Sequence, residues 1–236
     1  MMDFEILEWD SSFFGYPVAT IINMQSKWVD VLDVLKKNGV YLAYWQVKPG
    51  CDKFSTFAKN NNGLFVDKKT TYSNSILNYE LSMPEHVEIY EEESTNSELL
   101  DFSVQCGMYS RFKVDQNINN EKFEGLYRLW METSVAKRMA DDVLVYRLNN
   151  RIVGVVTVYV KAATGYIGLI GVDEQFRGRG IGKGLIKAAK TYFGKKRIKQ
   201  IDVITQGLNI SACTLYEHAD FSIKEQADFY HFWLTR

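Results

Sequence analysis

The run Arg177-Gly178-Arg179-Gly180-Ile181-Gly182 is the stretch of this chain whose residue types and spacing could do chemistry. Glycines strip side-chain bulk from a segment, so its main-chain N–H groups can converge on one point. Where a helix begins, its first N–H groups are unpaired and carry partial positive charge. Two arginines beside them make a phosphate or diphosphate the natural ligand.

Three loop types share this chemistry, and spacing separates them. A Walker A loop needs a glycine five positions before Gly182-Lys183 and Ser or Thr after; Arg177 and Gly184 occupy those places. A dinucleotide fingerprint fails at Lys183 when counted from Gly178 and at Leu185 when counted from Gly180. The third pattern, Arg/Gln-x-x-Gly-x-Gly/Ala after a strand, is met by Arg177, Gly180 and Gly182. The preceding Gly171-Val172-Asp173-Glu174-Gln175-Phe176 suits a strand end. A glycine-rich connection that binds nothing is the plain alternative, but glycine costs conformational entropy and makes a poor simple turn. Charge points the same way: Arg177 to Lys199 holds nine Lys or Arg and no Asp or Glu, in a chain of net charge −1. Lys183, Lys187 and Lys190 would also suit a solvated helix face; an anionic ligand accounts for the missing acids.

On these residues the chain resembles the GNAT superfamily of N-acetyltransferases. The resemblance implies an α/β fold with a mixed sheet flanked by helices, and acetyl-CoA as acyl donor. It places the cofactor on Ile170, Gly171, Val172, Arg177, Gly178, Arg179, Gly180, Ile181, Gly182 and Asn209. It also implies that Tyr216 protonates the departing thiolate. Asn209 and Tyr216 are seven residues apart, about two helical turns, and so share a face. Free Tyr and thiol pKa values differ by roughly 1.5 units, so that transfer is uphill by about 2 kcal/mol, within reach of a positioned acid. A core tyrosine and a plain helix N-cap are the non-catalytic readings of these two residues. Asp220-Phe221 stands where the superfamily often has Gly-Phe; Asp tolerates the left-handed backbone, so the turn is expected to survive. No general base stands out. His218 and His231 are near in sequence, but His231 falls on an alternating strand and reads as packed or exposed.

Ser12-Phe13-Phe14-Gly15-Tyr16-Pro17-Val18, Ser110-Arg111-Phe112 and the Asn209–Tyr216 helix together resemble the TDP-fucosamine acetyltransferase family. That likeness implies transfer to the amino group of a dTDP-linked 4-amino-4,6-dideoxyhexose for surface polysaccharide synthesis. Arg111 is then the candidate substrate-binding residue, its fork of donors suited to a nucleotide phosphate; a surface ion pair is its other reading. Other acceptors (a protein N-terminus, a polyamine, an antibiotic) and a non-catalytic CoA-binding module are the competing functions.

Elements must hold these residues in place, and hydrophobic periodicity outlines them. Strands are expected at Pro17–Ile22, Val40–Val47, and twice within Leu64–Ser82, interrupted near Ser73-Asn74. Helices are expected at Lys27–Asn38, with Trp28, Val31, Leu32 and Leu35 on one face and Gly39 as the stop, and at Lys53–Lys59. A boundary near Met83–Ser94 divides a smaller N-terminal α/β domain (1–90), expected to help shape the acceptor pocket, from the transferase domain (91–236). Thr95 and Glu98 have capping-box spacing for a helix to Gly107. A second helix spans Glu121–Arg138. Strands Val143–Leu148 and Ile152–Val160 flank an Asn149-Asn150 turn. Thr164-Gly165 turns into Tyr166–Val172, and the cofactor is expected where that strand parts from Ile201–Thr205. A helix to Phe193, another from Asn209 and terminal strands from Phe221 complete the chain.

Bulk properties bound the rest. With 236 residues, 46% hydrophobic and 24% charged, the chain is globular, with core enough for one or two domains. The near-neutral charge and lack of aromatic interleaving argue against nucleic acid. No apolar run approaches the ~20 residues that span a bilayer, and the acidic start is no signal peptide, so a cytoplasmic protein is expected. Cys51, Cys106 and Cys213 have no metal-ligand spacing and read as buried thiols; no metal is expected. The partners expected are the donor and a small nucleotide sugar, with a homodimer as the assembly, if any.

Overall fold

The computed structural model describes residues 4–22, 28–76 and 82–234. The elements are β1 (Phe4–Ile6), α1 (Glu8–Phe14), β2 (Val18–Ile21), α2 (Trp28–Lys37), β3 (Leu42–Val47), α3 (Asp52–Asn60), β4 (Leu64–Ser75), β5 (Val87–Ile89), α4 (Ser97–Cys106), α5 (Arg111–Val114), α6 (Asn120–Val135), β6 (Asp142–Leu148), β7 (Arg151–Lys161), β8 (Thr164–Val172), α7 (Ile181–Lys195), β9 (Gln200–Gln206), α8 (Ile210–Glu217) and β10 (Ser222–Trp233). The chain divides into two compact units. The first comprises 1–69, 110–122 and 226–236; the second comprises 70–109 and 123–225. The Met83–Ser94 stretch lies inside the second unit.

In the first unit the strand order is β1-β2-β3-β10-β4. β2 and β3 run parallel, and β10 runs antiparallel to β3 with His231 opposite Tyr44 and Tyr230 opposite Trp45. Strand alternation then sorts side chains between two faces. Val31, Leu32 and Leu35 of α2 and Phe57 and Ala58 of α3 cover the face bearing Ala43, Trp45, Tyr230 and Phe232. That burial is what holds a ten-residue helix too short to persist alone. Gly39, at φ 74°, supplies the left-handed stop after α2.

In the second unit the order is β4-β9-β8-β7-β6-β5, a mixed sheet: β8 and β9 are parallel, and β5 to β8 are antiparallel neighbours. Helices cover both faces. Leu144, Val153, Val156 and Val158 pack with Ile181, Leu185, Ala188 and Ala189 of α7. Val143, Val145, Ile152 and Val155 pack with Leu99 and Phe102 of α4 and Met131 of α6.

Four local expectations are corrected. Leu64–Ser75 is one strand that passes through Ser73 and Asn74, because both polar side chains find partners: Ser73 Oγ donates to Asp202 Oδ1 (2.7 Å) and Asn74 Nδ2 to Asp220 O (2.6 Å). The remainder of the expected second strand falls on 77–81, outside the described residues. The hairpin before β8 turns at Ala162-Ala163 (φ 48° and 63°), with Lys161 paired to Thr164. Gly165 is inside the strand; its bare α-carbon accepts the Phe193 ring, which would lie 2.6 Å from a Cβ there. The N-cap of α4 is Asn96, whose Oδ1 accepts from Leu99 N (2.9 Å), and not Thr95. Glu98 turns outward to accept from Ile152 N (3.2 Å). As expected, Asn149 and Asn150 form the β6–β7 turn at positive φ, and Asp220 adopts φ 63°. The terminal segment is a single strand, β10.

Candidate active site

The site belongs to the second unit and begins with a bulge. Val156 pairs with Ile170 and Val158 with Ile167, so Gly168 and Leu169 together oppose Thr157. An extra residue bends its strand. Thr157 fastens the bulge by accepting from Leu169 N (2.8 Å), and a Cβ on Gly168 would meet the same hydroxyl at 2.6 Å. β8 and β9 pair from Thr164↔Gln200 only to Ile167↔Val203, then part where the bulge begins. The separation expected from the sequence therefore has a local cause.

Parting leaves main-chain groups for a ligand. Leu169 N and Asp173 N both point toward β7, the latter onto Val153 O (3.0 Å). Successive strand residues alternate in direction. The N–H groups of Ile170 and Val172 thus face the edge that β9 has left, while Gly171 contributes space. Its α-carbon lies against Cys106, whose Sγ would be 2.7 Å from a Cβ.

Beyond Val172, Asp173 closes a single 3-10 turn over Glu174–Phe176, accepting from Gln175 N (2.9 Å) and from Arg151 Nη2 (2.7 Å). Gly178 and Gly180 adopt φ 76° and 79°, the left-handed region that a side chain disfavours. Gly180 is also the N-cap of α7 and has no side chain to bond the first helical N–H groups. Those donors remain open at the positive end of a 15-residue helix. Gly182 serves packing: a Cβ there would lie 3.2 Å from Leu215 Cδ2. Arg177 folds back to donate from Nε to Val172 O (3.2 Å), and Arg179 lies over the Phe176 ring at 5.0 Å. Part of the basic excess has structural work instead. Lys190 donates to Ala219 O (2.5 Å), and Lys196 pairs with Asp141 at 3.8 Å.

Asn209 caps α8, its Oδ1 accepting from Ala212 N (3.1 Å), which leaves the amide nitrogen without a partner among the described residues. Tyr216 is buried on that helix between Tyr72 (5.7 Å) and Phe221 (5.9 Å). Its hydroxyl makes no hydrogen bond among the described residues, yet it is not one of the sealed, unpartnered oxygens. Burial, followed by the Cys106 and Cys213 thiols, holds its pKa well above the usual phenol value. Burial also pushes the Cys106 thiol up to about 12. Sequence reasoning set Cys106 aside as a core thiol. Only the packing of α4 on β8 brings it beside Gly171 and Tyr216, and no motif marks it.

Arg111 falls in the first unit, apart from these residues in the chain's division. Its guanidinium stacks on Tyr44 at 4.0 Å, Phe112 at 4.2 Å and Phe229 at 4.6 Å, and Nη1 lies 3.3 Å from His231 Nε2. His231 is fully buried and bonded through Nδ1 to Asp115 Oδ2 (2.6 Å), so its packed reading holds. His218 is exposed on the surface. Among the described residues no cluster of His, Cys, Asp or Glu could hold a metal ion, and no helix is long and apolar enough to cross a membrane.

Comparison with known proteins bears on the family and the fold. Mycothiol acetyltransferase from Beutenbergia cavernae is 36% identical over 61 residues, 26% of this chain and 20% of that protein. The chain thus matches only about a fifth of the length of such curated relatives. Among solved structures, a GCN5-related N-acetyltransferase from Sphaerobacter thermophilus superposes with TM-score 0.63 at 12% identity, covering 99% of this chain and 76% of that one. A conserved protein of unknown function from Staphylococcus epidermidis also reaches 0.63, at 13% identity, covering 92% and 84%. At such identities the likeness is one of fold. The Acetyltransferase (GNAT) family matches residues 99–221, just over half of the chain and a range that includes β6 to β9, α7 and α8, and the chain belongs to that family.

Proposed function

We propose that the protein transfers an acetyl group from acetyl-CoA to the amino group of a nucleotide-linked amino sugar, a dTDP-4-amino-4,6-dideoxyhexose. One observation carries the transfer reading: an uncapped helix N-terminus, entered through two left-handed glycines, opens beside a strand edge that its neighbour has left. The N–H groups from Arg177 to Gly182 would bind the donor's diphosphate. The Asn209 amide would contact its arm. Residues Ile170, Gly171 and Val172 would line the thioester, with the Ile170 or Val172 N–H stabilising negative charge on the carbonyl oxygen during attack. As the amine forms its C–N bond, the C–S bond breaks and sulfur takes a proton from the Tyr216 hydroxyl; the proton lost by the amine passes to solvent, and solvent returns one to the Tyr216 phenolate.

Burial of Tyr216 raises its pKa, which taken alone would make it a poorer acid. The relevant quantity is the difference between Tyr216 and the departing thiolate in the same surroundings. Desolvation that destabilises the phenolate also destabilises a thiolate leaving into the same surroundings, so burial of Tyr216 alone does not set the direction of the transfer.

The amino-sugar acceptor rests on the residues shared with the TDP-fucosamine acetyltransferase family and on Arg111, whose charge would meet the acceptor's phosphate. Incubation with acetyl-CoA and a dTDP-4-amino-4,6-dideoxyhexose should release free thiol in proportion to acetylated sugar. Thiol release with a polyamine or an N-terminal peptide but not with the sugar would move the acceptor assignment. No release with any amine, alongside intact CoA binding, would reduce the protein to a CoA-binding module.

A further inference from the structure

The hydroxyl of Tyr216 makes no hydrogen bond among the described residues, so its direction is set by the packing of its ring and the placing of its helix. α8 has only eight residues, too few to hold a fixed course through its own hydrogen bonds. Its C-terminal end is instead fastened from β4 and from α7. Strand alternation turns Tyr72 and Asn74 of β4 to the same side, and both are buried. Tyr72 Oη donates to Glu217 Oε1 (2.8 Å), and Asn74 Nδ2 donates to the Asp220 carbonyl (2.6 Å). Lys190 Nζ of α7 donates to the Ala219 carbonyl between them (2.5 Å).

Tyr72 does more than fasten the helix. Its ring centroid lies 5.7 Å from that of Tyr216, with the two planes 42° apart, while Phe221 flanks Tyr216 at 5.9 Å. One side chain thus packs on the ring of Tyr216 and bonds the carboxyl of Glu217, the next residue of α8. Phe221 has no polar side-chain atom to fix its own place. Tyr72 has one, and the Glu217 bond decides where its ring lies. Burial, then that bond, holds the Tyr72 phenol well above its usual pKa, so the hydroxyl stays a donor.

We propose that Tyr72 and Glu217 are positioning residues for the acid: the bond between them sets the Tyr72 ring, and that ring sets the direction of the Tyr216 hydroxyl. The proposal rests on the reading of Tyr216 as the acid and adds to it the pair that aims it. A catalytic group misplaced by about 1 Å can cost ~10²-fold in rate, so loss of the anchor should be visible in turnover.

NMR of the full chain with CoA, isotope-labelled at the tyrosine Cζ, tests the geometry, and kinetics tests its consequence. The Tyr216 signal, assigned by its loss in Tyr216→Phe, should be single and sharp in the wild-type protein. Glu217→Ala should shift or broaden it; Glu217→Gln, whose amide oxygen can still accept, should restore it. With acetyl-CoA and the dTDP-4-amino-4,6-dideoxyhexose, Tyr72→Phe and Glu217→Ala should each lower kcat about tenfold and leave the KM for acetyl-CoA unchanged. Together they should cost no more than either alone. In a Tyr216→Phe background neither should lower the residual rate further, whereas a general loosening of the fold would lower it again. The proposal is overturned if Glu217→Ala leaves the Tyr216 signal as in wild type, an outcome that needs no acceptor. It is equally overturned if Tyr72→Phe slows the Tyr216→Phe protein as much as it slows the wild type. A Tyr216→Phe protein of normal rate removes the acid reading instead, and the NMR comparison still decides whether the pair aims the ring.

Discussion

The sulfur of Cys106 rests against the α-carbon of Gly171, so closely that a methyl group on that carbon would lie 2.7 Å away. Gly171 sits on the stretch of β8 that β9 has left, between the two residues whose N–H groups face the vacated edge. Gly171→Ala must therefore push the thiol aside or shift the strand. Overpacking of this kind costs about 1–3 kcal/mol. Thermal unfolding should show that loss, and acetyl transfer should fall with it. The double variant Gly171→Ala/Cys106→Ala should recover most of the stability. Purely additive single-variant losses would show that the two side chains do not compete for the same space.

Gly178 and Gly180 owe their identity to backbone angle, since nothing lies within 4 Å of where their Cβ atoms would be. Alanine at either costs roughly 1–2 kcal/mol in the left-handed conformation. If the loop relaxes instead, the N–H groups lose their convergence. Either alanine should raise the KM for acetyl-CoA about tenfold or more. Gly182→Ala meets only the tip of Leu215 and should change KM far less. Equal effects at all three positions would contradict the separate roles assigned to them.

Tyr216→Phe removes one hydroxyl that bonds to nothing among the described residues, so the fold should hold. If the phenol is the acid, kcat should drop by about 10²–10⁴ with CoA affinity retained. The pH profile adds a sign. The acid works protonated and its pKa is raised, so wild-type kcat should show no decline near pH 10, where a free tyrosine would lose its proton. A fall in kcat centred at pH 10, or a Tyr216→Phe enzyme of normal rate, would remove the residue from the mechanism.

Asp67 should weaken the protein as pH rises. Burial lifts its pKa from 3.8 to about 7, partly opposed by the Arg111 and Lys69 charges. A raised folded pKa means that the folded state holds the proton longer than the unfolded chain. The associated stability is complete below pH ~4 and lost as pH climbs toward 7. Asp67→Asn keeps the shape without the charge, so it should raise the melting temperature at pH 8, by the equivalent of about 1–3 kcal/mol, and change it little at pH 4. Parallel melting curves for wild type and variant across this range would show that Asp67 ionises freely in the fold.

The thiol of Cys106, with its pKa pushed up to about 12, should be a slow nucleophile. At pH 8 this thiol therefore stays protonated, and the thiolate is the reactive form. Alkylation by iodoacetamide, followed by peptide mass mapping, should mark Cys51 well before Cys106. Rapid modification of Cys106 at pH 8 would show that its surroundings are wetter than its packing indicates.

Local chemistry was legible in the residues alone. Glycine spacing after a strand and an Asn that opens a helix marked the loop and the α8 cap, because each depends on neighbours within a few positions; the acid role of Tyr216 is what the family resemblance implies. The Asn149-Asn150 turn and the left-handed Asp220 were legible for the same reason. What lay beyond reach depends on contacts between distant segments. Ser73 and Asn74 look like a strand break until Asp202 and the Asp220 carbonyl satisfy them. Thr157 resembles any strand threonine until its hydroxyl pins the bulge that parts β8 from β9. Arg111, Asp115 and His231 are scattered over 120 positions, and nothing in their spacing joins them. Periodicity and turn chemistry report the hydrogen bonds a segment makes with itself. The burial that moves a pKa, or leaves a carboxylate oxygen without a partner, is set by which segments fold against one another.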